Sequence, residues 1–163
     1  LVKLPLNKDD RNILRIMYNH VVNSQNEEYA TKYNVRSAVG IAAIQIGVKK
    51  RMLAIKTVDE DNKPIKLMLV NPEYIEKSKE MSYLRFGEGC LSVKQSHEGY
   101  VVRNARVTVE AYDLITNQNI VIRARGYLAI VLQHEIDHFS GKLFYDYIDS
   151  KNPFPEVDNA IEI

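Results

Sequence analysis

Near the N-terminus, hydrophobic positions recur with helical spacing. Ile13, Leu14, Ile16, Met17, His20 and Val21 fall on one face behind Asp9 and Asp10, acids suited to a cap and first turn, so residues 10–23 are predicted as an amphipathic helix. The next stretch, 23–37, is polar, carries Asn26, Glu27, Glu28 and Asn34, and sets Tyr29 and Tyr33 four apart; it reads as a loop or a short helix. From residue 50 the pattern changes to short β-like runs, predicting strands at 52–56, 66–70, 100–102, 105–112 and 119–125. Val107, Val109 and Ala111 alternate with Thr108, Glu110 and Tyr112, the period of a half-buried antiparallel strand. Turn-forming residues at 59–64 and 116–119 supply the connections.

Gly126 opens a different pattern. Residues 127–139 are apolar nearly all round except at His134, Glu135, Asp137 and His138, which predicts a buried helix. Gly141 stops it, and Pro153 and Pro155 make the remainder an irregular tail or an edge element. No internal repeat, low-complexity tract or interdomain linker interrupts the chain.

Composition narrows the function classes. The 163 residues, 45% hydrophobic, suit a single domain over 1–163 that buries about 70% of its unfolded surface without disulfide staples. The one cysteine excludes an internal disulfide framework. With 22 Lys and Arg against 21 Asp and Glu, the net charge of +1 offers polyanions no general attraction, so direct nucleic-acid binding is not expected. No apolar run approaches the roughly 18 residues of a membrane helix, and the expectation is a soluble, unexported protein without a membrane partner. The numbering starts at Leu1 rather than Met, which is compatible with a removed or omitted upstream segment, a targeting peptide included.

The strongest chemical signal is His134-Glu135-Ile136-Asp137-His138, an H-E-x-x-H pattern in the apolar segment. Helical residues four apart lie about 40° from eclipsed, so both imidazoles can reach one metal ion while Glu135 sits beside it as a proton acceptor. The alternative is a buried helix whose two histidines are satisfied by hydrogen bonds. A catalytic metal site needs a third protein ligand and an open position. Metzincin proteases place a histidine six residues past the second; Phe144 stands there, with Gly141 at that pattern's glycine, which excludes the class. A thermolysin-like protease would need Glu156, 18 residues beyond His138, on a later helix that the flanking prolines disfavour. Cys90, in Glu88-Gly89-Cys90-Leu91-Ser92, is the remaining candidate; Gly89 permits close backbone approach, although a lone cysteine is also commonly inert core. A third feature, Gly40-Ile41-Ala42-Ala43-Ile44-Gln45 followed by Gly47, ends in an amide able to donate a hydrogen bond, and is otherwise a tightly packed turn.

Taken together and in this order, the three segments resemble the motifs of the peptide deformylase family: G-φ-G-φ-A-A-x-Q at Ala38 to Gln45, E-G-C-L-S at Glu88 to Ser92 and H-E-x-D-H at His134 to His138. Met68 to Pro72, Gly126 to Ile130 and Phe144 to Asp149 also resemble the Gram-positive type. One position departs: Ala38 replaces the first glycine of the first motif, a change that alanine tolerates wherever φ is negative.

The resemblance implies an α+β fold, with antiparallel sheets packed around a central buried helix carrying the HEIDH segment and an N-terminal amphipathic helix. It implies that Cys90, His134 and His138 hold one divalent metal, Fe²⁺ in the family, with Zn²⁺, Ni²⁺ or Co²⁺ able to take the same ligands, and that a water on it is the nucleophile. Glu135 becomes the general base and then acid. The Gln45 amide and the Leu91 backbone N–H become the oxyanion donors. The substrate implied is the N-formylmethionyl end of a nascent peptide, extended along Val39, Gly40 and Gly89, its methionine in a pocket of Val39, Tyr127, Ile130 and Val131, and the products are formate and a free amine. Asp137 is expected to anchor an arginine such as Arg103 or Arg106. His20 and His97 lack ligand spacing and read as surface or helix-face residues. Lys49-Lys50-Arg51 reads as a solvated turn, although the family acts on chains leaving the ribosome, implying transient ribosome proximity. A monomer in the bacterial cytoplasm is expected, with an organelle as the other compartment.

Overall fold

The computed structural model describes residues 1–93 and 97–163. The chain forms two compact units. One comprises Leu1–Glu73 and Ala111–Ile120, the other Tyr74–Glu110 and Val121–Ile163.

In the first unit, α1 spans Lys8–Ser24. Its cap is Asn7, whose side chain accepts from the Asp10 N–H (2.8 Å), while Asp9 and Asp10 occupy the first turn. The helix packs against β1 (Gly40–Ala42) and β2 (Met52–Val58) through Leu14, Met17 and Val21. Ile16, expected on this face, is 64% exposed: the buried stripe is narrower than the apolar one. The polar stretch after α1 contains α2 (Glu27–Tyr33), capped by Asn26 and ended by Asn34 in the left-handed region, with Tyr29 and Tyr33 in ring contact.

β2 is buried over its first four residues, Met52 to Ile55, and β3 (Pro64–Lys77) over Leu67 to Val70 in its first half; the two pair antiparallel with Leu53 opposite Leu69. The strand expected at 66–70 is therefore much longer. Asn71, at φ 53°, and Pro72 look like a turn in sequence, but Asn71 donates its N–H to Arg51 O and exchanges two 2.8 Å hydrogen bonds with the Val2 backbone, carrying the strand onward. The Lys49–Arg51 segment is not merely solvated: Lys50 pairs with the buried Asp10 carboxylate and Arg51 donates to Pro72 O at 2.9 Å.

The strands β6 (Arg106–Asp113) and β7 (Gln118–Arg125) complete a sheet of order β1-β2-β3-β6-β7, and the chain passes between units within β3, β6 and β7. Val107, Val109 and Ala111 are buried and their neighbours are not, as the alternation requires. Asp113 closes the 114–117 connection by accepting from Thr116 N and Oγ1.

The second unit holds β4 (Met81–Tyr83), β5 (Arg103–Asn104) and β8 (Ala160–Glu162) in the order β5-β4-β8. The β4–β5 pair is antiparallel and β4–β8 parallel, an exception to the otherwise antiparallel reading. Residues 100–102 form no strand: Tyr100 N donates to Pro153 O, and pairing begins only at Arg103. Helix α3 (Gly126–Asp137) packs against β4 and β5 and is buried without a break from Ala129 to Ile136. A single 3-10 turn, His138–Ser140, follows before Gly141 at φ 71° ends the element. The architecture is thus α+β, with an N-terminal amphipathic helix and a buried helix carrying the HEIDH segment.

Candidate metal centre

Three donors converge in the second unit. Cys90 lies in a loop closed by Gly87 N to Leu84 O and Val93 N to Cys90 O, whereas His134 and His138 project from the end of α3 and the turn after it. One ligand atom from each falls within 4.8 Å of the other two, the Cys90 Sγ lying 3.5 Å from His138 Nε2. The imidazoles are 5.3 Å apart between centroids and inclined at 71°, an edge-to-face pair.

The His134 ring is oriented from behind. His134 Nδ1 donates to Glu88 Oε1 at 2.8 Å, which makes Nε2 the ring atom it can offer to a metal. Glu88 in turn receives the fork of Arg103, Nε to Oε2 at 2.8 Å and Nη2 to Oε1 at 2.9 Å, with both side chains buried. The third Arg103 nitrogen, Nη1, reaches Asp137 Oδ2 at 2.8 Å, so the arginine expected beside Asp137 is Arg103; Arg106 pairs with Glu80 instead. Burial would raise the Glu88 pKa, but His134 and Arg103 hold it below the ordinary carboxylate value. Burial would likewise lower that of Arg103, and the two carboxylates outweigh it, keeping the guanidinium charged.

Within the donor set the same competition yields a thiolate. Burial disfavours the Cys90 anion, but contacts to His134 and His138 and the Ser92 backbone bring the thiol down to about 5. His134 is shifted upward, because Cys90 and Glu88 outweigh the desolvation that opposes its protonation. Glu135 is not a donor. It is fully enclosed, burial pushes its carboxyl up to about 7, and its Oε2 lies 4.0 Å from His138 Nε2 without a hydrogen-bond partner among the described residues. A thiolate with two imidazoles suits a borderline-soft divalent ion, three protein donors leave a position open, and the partnerless carboxylate oxygen is a ready acceptor beside it. The residues present therefore fit a catalytic metal.

Gly89 is exposed, and a Cβ there would meet nothing within 4 Å; Leu91 is half-buried. On α3, Ile130 and Val131 are buried and Tyr127 is 38% exposed. In the first unit, Val39 O accepts from Lys56 N, Gly40 pairs with Ile55, and Gln45 lies in the 3-10 turn Ala43–Ile46 with its Oε1 accepting from Ala42 N at 2.7 Å. Ala38 is not among the residues with positive φ; Ser24 Oγ accepts its N–H at 3.0 Å and its carbonyl accepts from Gln25 Nε2 at 2.8 Å, so the added methyl brings no backbone strain. Glu156 is exposed, lies on no helix and does not join the cluster. His97 is half-buried, its ring stacked on that of Tyr145 with centroids 4.4 Å apart. Sequence reasoning assigned no role to Glu88 and missed Tyr147, whose hydroxyl donates to Asp137 Oδ2 at 2.6 Å. Glu88 was visible inside the second motif and Tyr147 inside the 144–149 resemblance, but nothing local marked the bond from Tyr147 to Asp137.

A profile of the polypeptide deformylase family matches residues 3–154, across both units. The chain belongs to the peptide deformylase family. Among its relatives, the peptide deformylase of Oceanobacillus iheyensis is 48% identical over all of this chain and 88% of its own length, and peptide deformylase 2 of Bacillus subtilis is 49% identical over 99% and 88%. These bacilli bear out the likeness to the Gram-positive type. Among solved structures, a peptide deformylase from Ehrlichia chaffeensis superposes with a TM-score of 0.71 at 29% identity, covering 94% of this chain and 82% of that one. Family membership makes the chain an enzyme, a hydrolase of the deformylase class, and no helix among its described residues is long and apolar enough to cross a membrane.

Proposed function

We propose that the chain hydrolyses the formyl group from N-formylmethionyl ends of newly made polypeptides, using a divalent metal, Fe²⁺ as the native ion, held by Cys90, His134 and His138. The carrying observation is the convergence of these donors within 4.8 Å beside the buried Glu135 Oε2, which has no hydrogen-bond partner among the described residues. A divalent ion on this donor set would acidify water and polarise the formyl oxygen. Glu135, at about 7, is matched to taking a proton from the attacking water at neutral pH and handing it to the departing amine, giving formate and a free N-terminus. We assign the charge on the formyl oxygen to the Gln45 amide and the Leu91 N–H. With Gln45 Oε1 already accepting from Ala42 N, the NH₂ is the end of that amide suited to donate.

An extended substrate is supported by the position of β1, the outer strand of its sheet, where a peptide can add by main-chain pairing that ignores downstream sequence. Val39, Gly40 and Gly89 are assigned to that pairing, and Val39, Tyr127, Ile130 and Val131 to the methionine pocket. Residues 1–163 act as one catalytic domain, a monomer in the bacterial cytoplasm that meets its substrate close to the ribosome.

The test is formate release from an N-formylmethionyl tripeptide, with protein prepared without oxygen and loaded with Fe²⁺ or Ni²⁺, beside Glu135→Ala. Wild type should release formate and the variant should be slower by roughly 10² to 10⁴-fold at equal metal content. No formate from folded, metal-replete wild type would overturn the assignment.

A further inference from the structure

Beyond the ligand helix, the 3-10 turn Phe144–Tyr147 contributes no metal donor, yet both of its ends engage the surroundings of one imidazole. At its start, Phe144 is buried and its ring lies nearly parallel to His134, 6.0 Å between centroids at 17°. At its end, the Tyr147 hydroxyl donates to Asp137 Oδ2 at 2.6 Å, and its ring has the Lys142 ammonium 3.9 Å and the Arg103 guanidinium 4.8 Å from its centroid. Asp137 passes the contact to Arg103, Arg103 to Glu88, and Glu88 to His134 Nδ1, each link 2.8 or 2.9 Å long. The turn is itself held: Lys142 N donates to Asp137 O, and Leu143 N to Asp146 Oδ2 at 2.8 Å.

We propose that the Phe144–Tyr147 turn is a positioning element for the metal ligand His134, with Phe144 setting the plane of the ring and Tyr147 holding Asp137 where it keeps Arg103 on Glu88. The inference rests on the ligand assignment above. The physical need is clear from the torsion involved: rotation of an imidazole about its last bond is soft, so a ligand ring is fixed by what it touches. Glu88 fixes one edge, and a stacked aromatic fixes the face. Asp137 is the weak link, since its side chain is 20% exposed while those of Arg103 and Glu88 are at 2% and 4%. Without the tyrosine hydroxyl, Asp137 can turn toward solvent and leave Arg103 with one carboxylate. Neither Tyr147 nor Phe144 belongs to the donor cluster; both act through His134.

The experiment measures metal release to a chelator from Ni²⁺-loaded holoenzyme, with Co²⁺-loaded protein giving the thiolate-to-metal and d–d absorption bands. Tyr147→Phe, which keeps the ring that the two cations contact, should release metal about tenfold faster and shift the cobalt bands. In an Asp137→Asn background the same substitution should add less than twofold, because the hydroxyl acts through that carboxylate. Phe144→Leu should speed release on its own, and its effect should multiply with that of Tyr147→Phe. Release and spectrum unchanged in Tyr147→Phe, or fully multiplicative effects of Tyr147→Phe and Asp137→Asn, would overturn the proposal. A wild type that binds no stoichiometric metal would overturn the ligand assignment itself, and the positioning role with it.

Discussion

Single side chains carry the chemistry here through their environments more than their identities. Gln45 has one end of its amide committed to Ala42 N, so Gln45→Ala should lower kcat/KM by roughly 10² to 10³-fold while metal content, read by elemental analysis, stays at wild-type level. Tyr74 gives a pH prediction. Burial, then the Asp137 carboxylate, push its phenol well above the ordinary 10. As pH rises past 10, the unfolded chain loses this proton first, so the stability it contributes is whole below 10 and drains away above it. Tyr74→Phe should therefore move the midpoint of alkaline unfolding to higher pH. The chain's ten tyrosines and absent tryptophan make absorbance at 295 nm a clean readout of the tyrosinates that form. Of the residue-level site, the motif positions, Glu88 among them, were legible because their spacing is local, and Arg103 was one of two arginines expected beside Asp137; the bonds that join Glu88, Arg103, Asp137 and Tyr147 were not, because they span 15, 34 and 10 residues and leave no periodic trace.

Helices and strands were readable to the degree that burial was one-sided. The alternation in β6 and the apolar block of α3 coincide with the observed elements, whereas β3 runs beyond its apolar stretch because its second half, from Asn71 to Lys77, is mostly polar and opens with a turn-like Asn-Pro pair. The pairs β4–β5 and β4–β8 were invisible, since three residues or fewer give no period to detect. Element ends make a graded prediction. Gly141, at φ 71°, caps the turn after α3 with nothing within 4 Å of an added Cβ, so Gly141→Ala should cost only the left-handed backbone, about 1 kcal/mol. Gly99, at φ 147°, would place a Cβ 2.5 Å from Ile148 Cγ2 and 2.9 Å from Pro153 O, and Gly99→Ala should cost about 3 kcal/mol or more. Urea unfolding of the metal-loaded variants orders the two, and equal midpoints would contradict the account.

At the scale of the molecule, a metal on Cys90, His134 and His138 would tie together chain segments up to 48 residues apart, and would bind the folded state alone. Metal at about a hundredfold above its Kd should then raise Tm by roughly 5 to 10 °C by calorimetry, chelation should reverse the rise, and Cys90→Ala should abolish it. The sequence by itself determined the family, the buried ligand helix and the identity of the candidate donors, because contiguous motifs encode local geometry and a 3.6-residue period needs no partner to be read. Only the tertiary structure decided that Cys90 meets the two histidines, that Glu135 is enclosed without a hydrogen-bond partner among the described residues, and that a turn ten residues past Asp137 reaches back to it. Those facts depend on which distant segments share a volume, and burial and charge act through space rather than along the chain.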